Sequence, residues 1–204
     1  MDSYHLVVKI KMRTTPWEVS QELNTLSSLE RCLGMVRCAA KLTHSSRLTT
    51  ALKQQAYVDW KYQQLADLVR TPPKARPGNG SRVAYRFTTL SLPQLTPYYR
   101  AFYRGGKKAV PNVELESLSL AVWFMDDGCK SYRALYLNTQ QFSVADQCQL
   151  VQMLKEQWDV DAALNRDKHY YRLRIAVGSV PRFQAIVAPH LLEQFAYKFP
   201  EMTP

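Results

Sequence analysis

The sequence predicts a mixed α/β (α+β) protein whose architecture is written twice along one chain. Three observations predict it: a long repeat of nearly constant offset, two apolar runs of helical length, and strands that alternate apolar with basic residues. Gln54-Gln55-Ala56-Tyr57-Val58 resembles Gln140-Gln141-Phe142-Ser143-Val144, 86 residues later. Tyr85-Arg86-Phe87 matches Tyr171-Arg172-Leu173 at the same offset, and Pro93 matches Pro181 at an offset of 88. Each half reads as helix, strand pair, helix, strand pair, helix.

The elements follow in order. The opening residues MDSYHLVVKIKMR have the pattern of a strand rather than of a signal peptide. Residues 29–41 form the first long apolar helix. Residues 47–52 are a strand, and residues 55–69 an amphipathic helix. The stretch TPPKARPGNGS, residues 71–81, is a Pro/Gly loop inside the first half, not a linker. In the strand 82–89, Val83, Tyr85 and Phe87 share one side, and Arg82 and Arg86 the other. Residues 117–125 form the second apolar helix and 133–138 a strand. Ser143 is placed to cap a helix over 144–158. The closing strand, 170–177, sets Tyr171, Leu173, Ile175 and Val177 against Arg172 and Arg174. One packed face and one wet face give this alternation. The expected halves are residues 1–112 and 113–204.

Twenty-seven Lys and Arg against 17 Asp and Glu leave a formal charge of +10 on 204 residues. Such a surplus suits a polyanionic partner, above all nucleic acid. Cys32, Cys38, Cys129 and Cys148 lack zinc spacing, so free thiols in a reducing compartment are expected. His5, His44, His169 and His190 form no metal-binding pair. Gly105-Gly106 precedes no helical pattern, which removes a phosphate loop. No apolar run approaches membrane-spanning length. The expected location is intracellular: a bacterial cytoplasm, or an organelle matrix or stroma.

The chemistry concentrates in LAVWFMDDG, Leu120 to Gly128, an apolar helix ending in two carboxylates and a glycine. An offset of 88 sets Gly128 opposite Ala40 and Asp127 opposite Ala39, within the upstream copy at 33–40. No Asp or Glu occurs between Arg31 and Val58, so no small shift of alignment restores an acid there. Matching basic strand faces in both halves would make a positive saddle able to neutralise phosphates or read guanine edges. The candidate contacts are Arg82, Arg86, Arg172 and Arg174 on strands, with Arg47, Lys53 and Arg133. Lys74 and Arg76 are placed in the loop, Arg104 before Pro111, Lys130 after the acidic tip, and Arg166 and Lys168 in a hairpin turn.

This order of motifs resembles the LAGLIDADG homing endonucleases and the intron maturases derived from them. The likeness rests on Leu120-Ala121-Val122-Trp123-Phe124-Met125-Asp126-Asp127-Gly128, on Asn138-Thr139-Gln140 and on Phe195-Ala196-Tyr197-Lys198. Phe102-Tyr103-Arg104-Gly105-Gly106-Lys107-Lys108 with Pro111 also fits, and the whole spans about residues 23–199. The resemblance implies a pseudo-twofold fold of two αββαββα repeats. Two motif helices pack side by side, and two curved antiparallel sheets form a saddle for a DNA duplex. It further implies that an acid at the foot of each helix holds divalent metal and that a lysine from each half assists. Asp127 is then the metal-binding catalytic acid, Lys198 and Lys107 or Lys108 the assisting lysines, and Asp126 a helix-end residue. The departure is Ala39, which removes one ligand and one negative charge. Arg37 adds a cation to the same helix, and Cys38 replaces a small glycine.

The expected function is a nucleic-acid-binding protein that has lost cleavage. It stabilises structured RNA as an intron splicing factor or as part of a ribonucleoprotein such as the ribosome. The alternatives are an active or nicking DNA endonuclease and a transcription regulator bound to duplex DNA. Binding requires no cofactor; magnesium enters if nuclease activity remains. The internal twofold suggests a monomer, free or within a ribonucleoprotein, with no membrane partner.

Overall fold

The computed structural model describes residues 41–43, 47–78 and 81–200. The first apolar helix, with Arg37, Cys38 and Ala39, lies outside them, as do the opening strand, His5 and His44. In chain order the elements are β1 (Lys41–Thr43), β2 (Arg47–Leu52), α1 (Gln55–Gln64), β3 (Lys74–Pro77) and β4 (Val83–Thr88). Then come α2 (Thr96–Phe102), β5 (Tyr103–Arg104), β6 (Lys107–Lys108), α3 (Ser117–Asp127), β7 (Gly128–Ser131) and β8 (Ala134–Leu137). The chain continues through α4 (Val144–Trp158), β9 (Ala162–Asp167), β10 (Tyr170–Ile175) and α5 (Val180–Val187), and ends in short 3₁₀ turns.

The strands pair into two four-stranded sheets, ordered β1-β2-β4-β3 and β7-β8-β10-β9, plus the β5-β6 ribbon. All pairings are antiparallel. Helix α1 follows β2 as α4 follows β8, so the described part of the chain does run the same course twice.

Helix α3 is the centre of the core. Leu120 to Met125 are each at most 2% exposed, which only a helix covered on every side can be. Phe124 meets Phe183 of α5 edge-on at 5.5 Å and Phe199 at 4.7 Å between ring centres. Burying each such side chain is worth roughly 1.5–3 kcal/mol. The helix ends at Gly128 for a steric reason. A Cβ there would overlap the ring and carbonyl of Phe124, so only glycine lets the chain turn straight into β7.

Helix α4 starts where expected. Ser143 Oγ accepts from the Asp146 amide at 3.1 Å and donates to Asp146 Oδ2 at 2.6 Å. Asp146 Oδ1 also accepts from the Val110 amide at 3.1 Å, which fastens the segment after β6 to this helix.

Several expectations need correction. Lys74–Pro77 is a strand, not part of a loop. It is an edge strand of four residues closed by a proline, a place where proline is tolerated and where Pro/Gly density hides the strand. Helix α1 stops at Gln64 and gives way to a 3₁₀ turn over Ala66–Leu68, short of residue 69. The last strand ends at Ile175; Val177 opens another 3₁₀ turn and is 40% exposed. Arg166 lies in β9, and only Lys168 occupies the hairpin turn. Among the described residues, Cys129 and Cys148 are free thiols, and no helix is long and apolar enough to cross a membrane.

Candidate functional site

The carboxyl end of α3 gathers most of the buried charge. Two acids stand there at the negative end of the helix dipole, an unfavourable place for them. Cations arriving from other elements offset it. Lys61, from α1, extends Nζ to both carboxylate oxygens of Asp126 at 2.8 Å, and neither side chain has any exposed surface. The same ammonium lies 4.4 Å from the centre of the Tyr57 ring. Lys198, 7% exposed, donates to the terminal carbonyls of the helix, Phe124 O at 3.2 Å and Met125 O at 2.6 Å. It thereby fills two of the acceptors that any helix end leaves open.

Asp127 is treated differently. Its Oδ2 is buried with no hydrogen-bond partner among the described residues. Burial first, and then the neighbouring Asp126 charge, push its carboxyl up to about 6; Lys108, Lys198 and Lys61 pull the other way. The structure therefore brings Asp127, Lys198 and Lys108 into one electrostatic neighbourhood, whereas Lys107 sits exposed on the β5-β6 ribbon. An orphaned carboxylate oxygen is what a divalent ion would take. Such an ion needs about six oxygen ligands, however. Among the described residues no three His, Cys, Asp or Glu side chains come together. One free carboxylate amid three ammonium groups does not make a metal centre by itself.

Lys61 is the residue that the sequence reading missed. A signal existed: Tyr57, Val58 and Lys61 of α1 and Leu65 just after it keep helical spacing, and all are buried. A lysine inside an apolar stripe needs a buried partner. Asp126 proves to be that partner.

The wet faces of the two sheets are read from the registers. On the first, Phe87, Tyr85 and Leu52 turn inward. Arg86 then faces outward directly opposite Lys74, with Arg76 one pleat further along β3 and Arg47 at the start of β2. Arg47, Lys74, Arg76 and Arg86 are all exposed. Thr49 and Thr88 join them with a hydroxyl contact of 3.1 Å. Arg82 precedes β4 and Lys53 follows β2; both are exposed.

On the second sheet, Leu135, Leu137, Leu173 and Ile175 are buried, so Tyr136, Arg172 and Arg174 face outward. Arg172 does not extend into solvent: its guanidinium lies 4.2 Å from the Tyr136 ring centre, and its Nε is buried without a partner among the described residues. Arg133 and Lys168 occupy exposed hairpin turns beside Tyr132 and His169. Arg166 turns back to the Lys168 carbonyl at 3.2 Å. Lys130 has the inward parity of β7 and donates to Phe199 O at 3.0 Å, so it braces the chain end. Arg104 is exposed on the β5-β6 ribbon, whose turn, Gly105-Gly106, has both φ angles positive, as a tight hairpin requires. Gln140 donates to Asp167 at 3.0 Å and so structures the second sheet, while Gln54 stands exposed before α1. His190 bonds Ser117 at 3.0 Å, a packing role.

Comparison with known proteins agrees with this arrangement. The cytochrome b mRNA maturase bI2 of Debaryomyces hansenii is 28% identical over 122 residues, 57% of this chain and 47% of the maturase. The RecA protein of Mycobacterium gastri is 30% identical over 172 residues, 74% of this chain and 40% of RecA. The chain thus spans less than half the length of these relatives. Among solved structures, the homing endonuclease I-WcaI bound to its DNA recognition sequence shares the fold, with a TM-score of 0.79 over 94% of this chain and 95% of that one at 18% identity. A sequence profile described as the LAGLIDADG DNA endonuclease family matches residues 37–183. With the motif helix at the centre and twin sheets beside it, the chain belongs to the LAGLIDADG DNA endonuclease family.

Proposed function

We propose that this protein binds structured RNA across the wet faces of its two sheets and does not cut it. The observation that carries the reading is the missing acid: Ala39 stands where the repeat calls for the partner of Asp127. Phosphodiester cleavage by paired metal ions depends on oxygen ligands that hold both ions. With a methyl group in place of a carboxylate, a cation shared between the two motif helices loses a ligand and a charge. Loss of the acid leaves the basic faces untouched, so binding outlives cutting. Relatives named as mRNA maturases favour RNA over DNA. An RNA helix would be held through phosphates and shape, because its major groove is too narrow for strands to read. The roles open to such a protein are intron splicing and service within a ribonucleoprotein.

The test is binding of the purified chain to a structured RNA as salt is raised. Affinity is expected to fall steeply with salt. Absence of binding below about 0.1 M salt, where screening is modest, would refute the reading. The second reading, a magnesium-dependent DNA endonuclease, is favoured by the likeness to a DNA-bound endonuclease and by the free oxygen of Asp127. Magnesium-dependent cuts in a library of duplex DNA, abolished by Asp127→Asn, would establish it instead. Protection of one duplex without cutting would point to a DNA-binding regulator.

A further inference from the structure

The two wet faces differ in chemistry, and the difference specifies the ligand. The first carries Arg47, Lys74, Arg76 and Arg86, with threonines between them and no described acid or aromatic ring. Long cations spread over a polar sheet suit phosphates, which carry no base information. The second face is built for something flatter. Tyr136 on β8 lies under the Arg172 guanidinium, and Tyr170, two residues before Arg172 on the same side of β10, is 61% exposed. Asn165 stands directly opposite Arg172, and Asp167 directly opposite Tyr170. Asp167 repels phosphate, but a carboxylate and an amide suit the edges of bases. The buried Nε of Arg172 still lacks an acceptor among the described residues.

Resting on the RNA-binding reading above, we propose that the second sheet is a base-stacking platform for single-stranded nucleotides. Tyr136 with Arg172 takes one unstacked base, and Tyr170 takes a neighbour. Asn165 reads an exposed edge, and Asp167, whose Oδ2 already accepts from Gln140, offers its other oxygen. The first sheet holds the phosphates of an adjoining helix. The preferred ligand is then a junction between an RNA duplex and a single strand. Planar rings and guanidinium groups on a solvent-facing sheet are a general means of holding unpaired RNA bases. A continuous duplex hides its base faces and leaves such a platform unused.

The experiment compares two RNAs of equal phosphate count at fixed salt. One is a blunt hairpin; the other is a shorter hairpin with a single-stranded tail that carries 2-aminopurine. The full chain is expected to bind the tailed RNA about tenfold more tightly, the effect of one stacked base, and to quench the 2-aminopurine. Tyr170→Ala, at an exposed site, and Tyr136→Leu are each expected to lower affinity for the tailed RNA more than for the blunt one, so that the preference collapses. Arg86→Ala is expected to weaken both RNAs together. Equal binding of the two RNAs, or a preference that survives both tyrosine substitutions, would overturn the platform while leaving RNA binding intact. No binding to either RNA would overturn the RNA reading as well.

Discussion

Asp126 and Asp127 leave the same turn of the same helix and meet opposite surroundings. Successive residues of a helix point about 100° apart, so one carboxylate reaches the Lys61 ammonium of α1 and the other does not bond to it. Asp126 has both oxygens on the Lys61 ammonium. Asp127 has a buried oxygen with no partner among the described residues. The first is a structural charge, which holds the end of α3 against an element nearly seventy residues earlier. The second is an unsatisfied charge, held at a cost in stability. Adjacency in sequence therefore says little about role; what each carboxylate faces decides it.

The largest expected effect comes from breaking the satisfied pair. Lys61→Met would leave Asp126 buried and uncompensated, with an expected loss of about 3–5 kcal/mol in urea unfolding. Lys61→Met/Asp126→Leu should recover most of that, since an apolar replacement of a buried pair is often neutral. If the double variant is no more stable than the single one, the pair is not what Lys61 contributes. Lys198→Met comes next. It removes charge-assisted bonds to two helix-end carbonyls, and a loss of about 2 kcal/mol is expected by the same measurement.

The last effect, comparable in size, has the opposite sign. The Asp127 carboxyl is raised from 3.8 to about 6 in the folded protein, so the fold favours its protonated form. That stability is fully present below the unfolded value and is lost as pH rises through the folded one. Asp127→Asn should therefore match the wild type near pH 3 and exceed it by about 2–3 kcal/mol at pH 7, in metal-free buffer. A wild type as stable as Asp127→Asn at pH 7 would show that Asp127 is not under strain. Asp126→Asn should instead destabilise, because it leaves the buried Lys61 ammonium without its counter-charge.

Much of this was legible beforehand. The apolar run before Asp126-Asp127-Gly128 could only be a buried helix, and it is. The alternation in residues 170–175 gave the inward Leu173 and Ile175 and the outward Arg174. Ser143 capped its helix as its spacing suggested. Short paired elements escaped, because β3, β5 and β6 span only two to four residues and carry too little pattern to register. At the site, the place of Asp127 at the carboxyl end of α3 was legible from its motif. Lys61 was not, because its partner lies on another helix and burial of a lysine depends on tertiary packing. The sequence marks Arg172 only as one of several wet-face arginines; that it lies against Tyr136 depends on cross-strand register, which one strand alone does not specify.

The Lys61–Asp126 contact also bears on anyone who would divide this polypeptide for expression. A fragment starting just ahead of α3 would retain an intact sheet, a capped α4 and the Phe124–Phe183–Phe199 contacts, yet it would harbour an anion stripped of its counterion. Such a piece should express poorly, so the cut site cannot be chosen from loop positions alone.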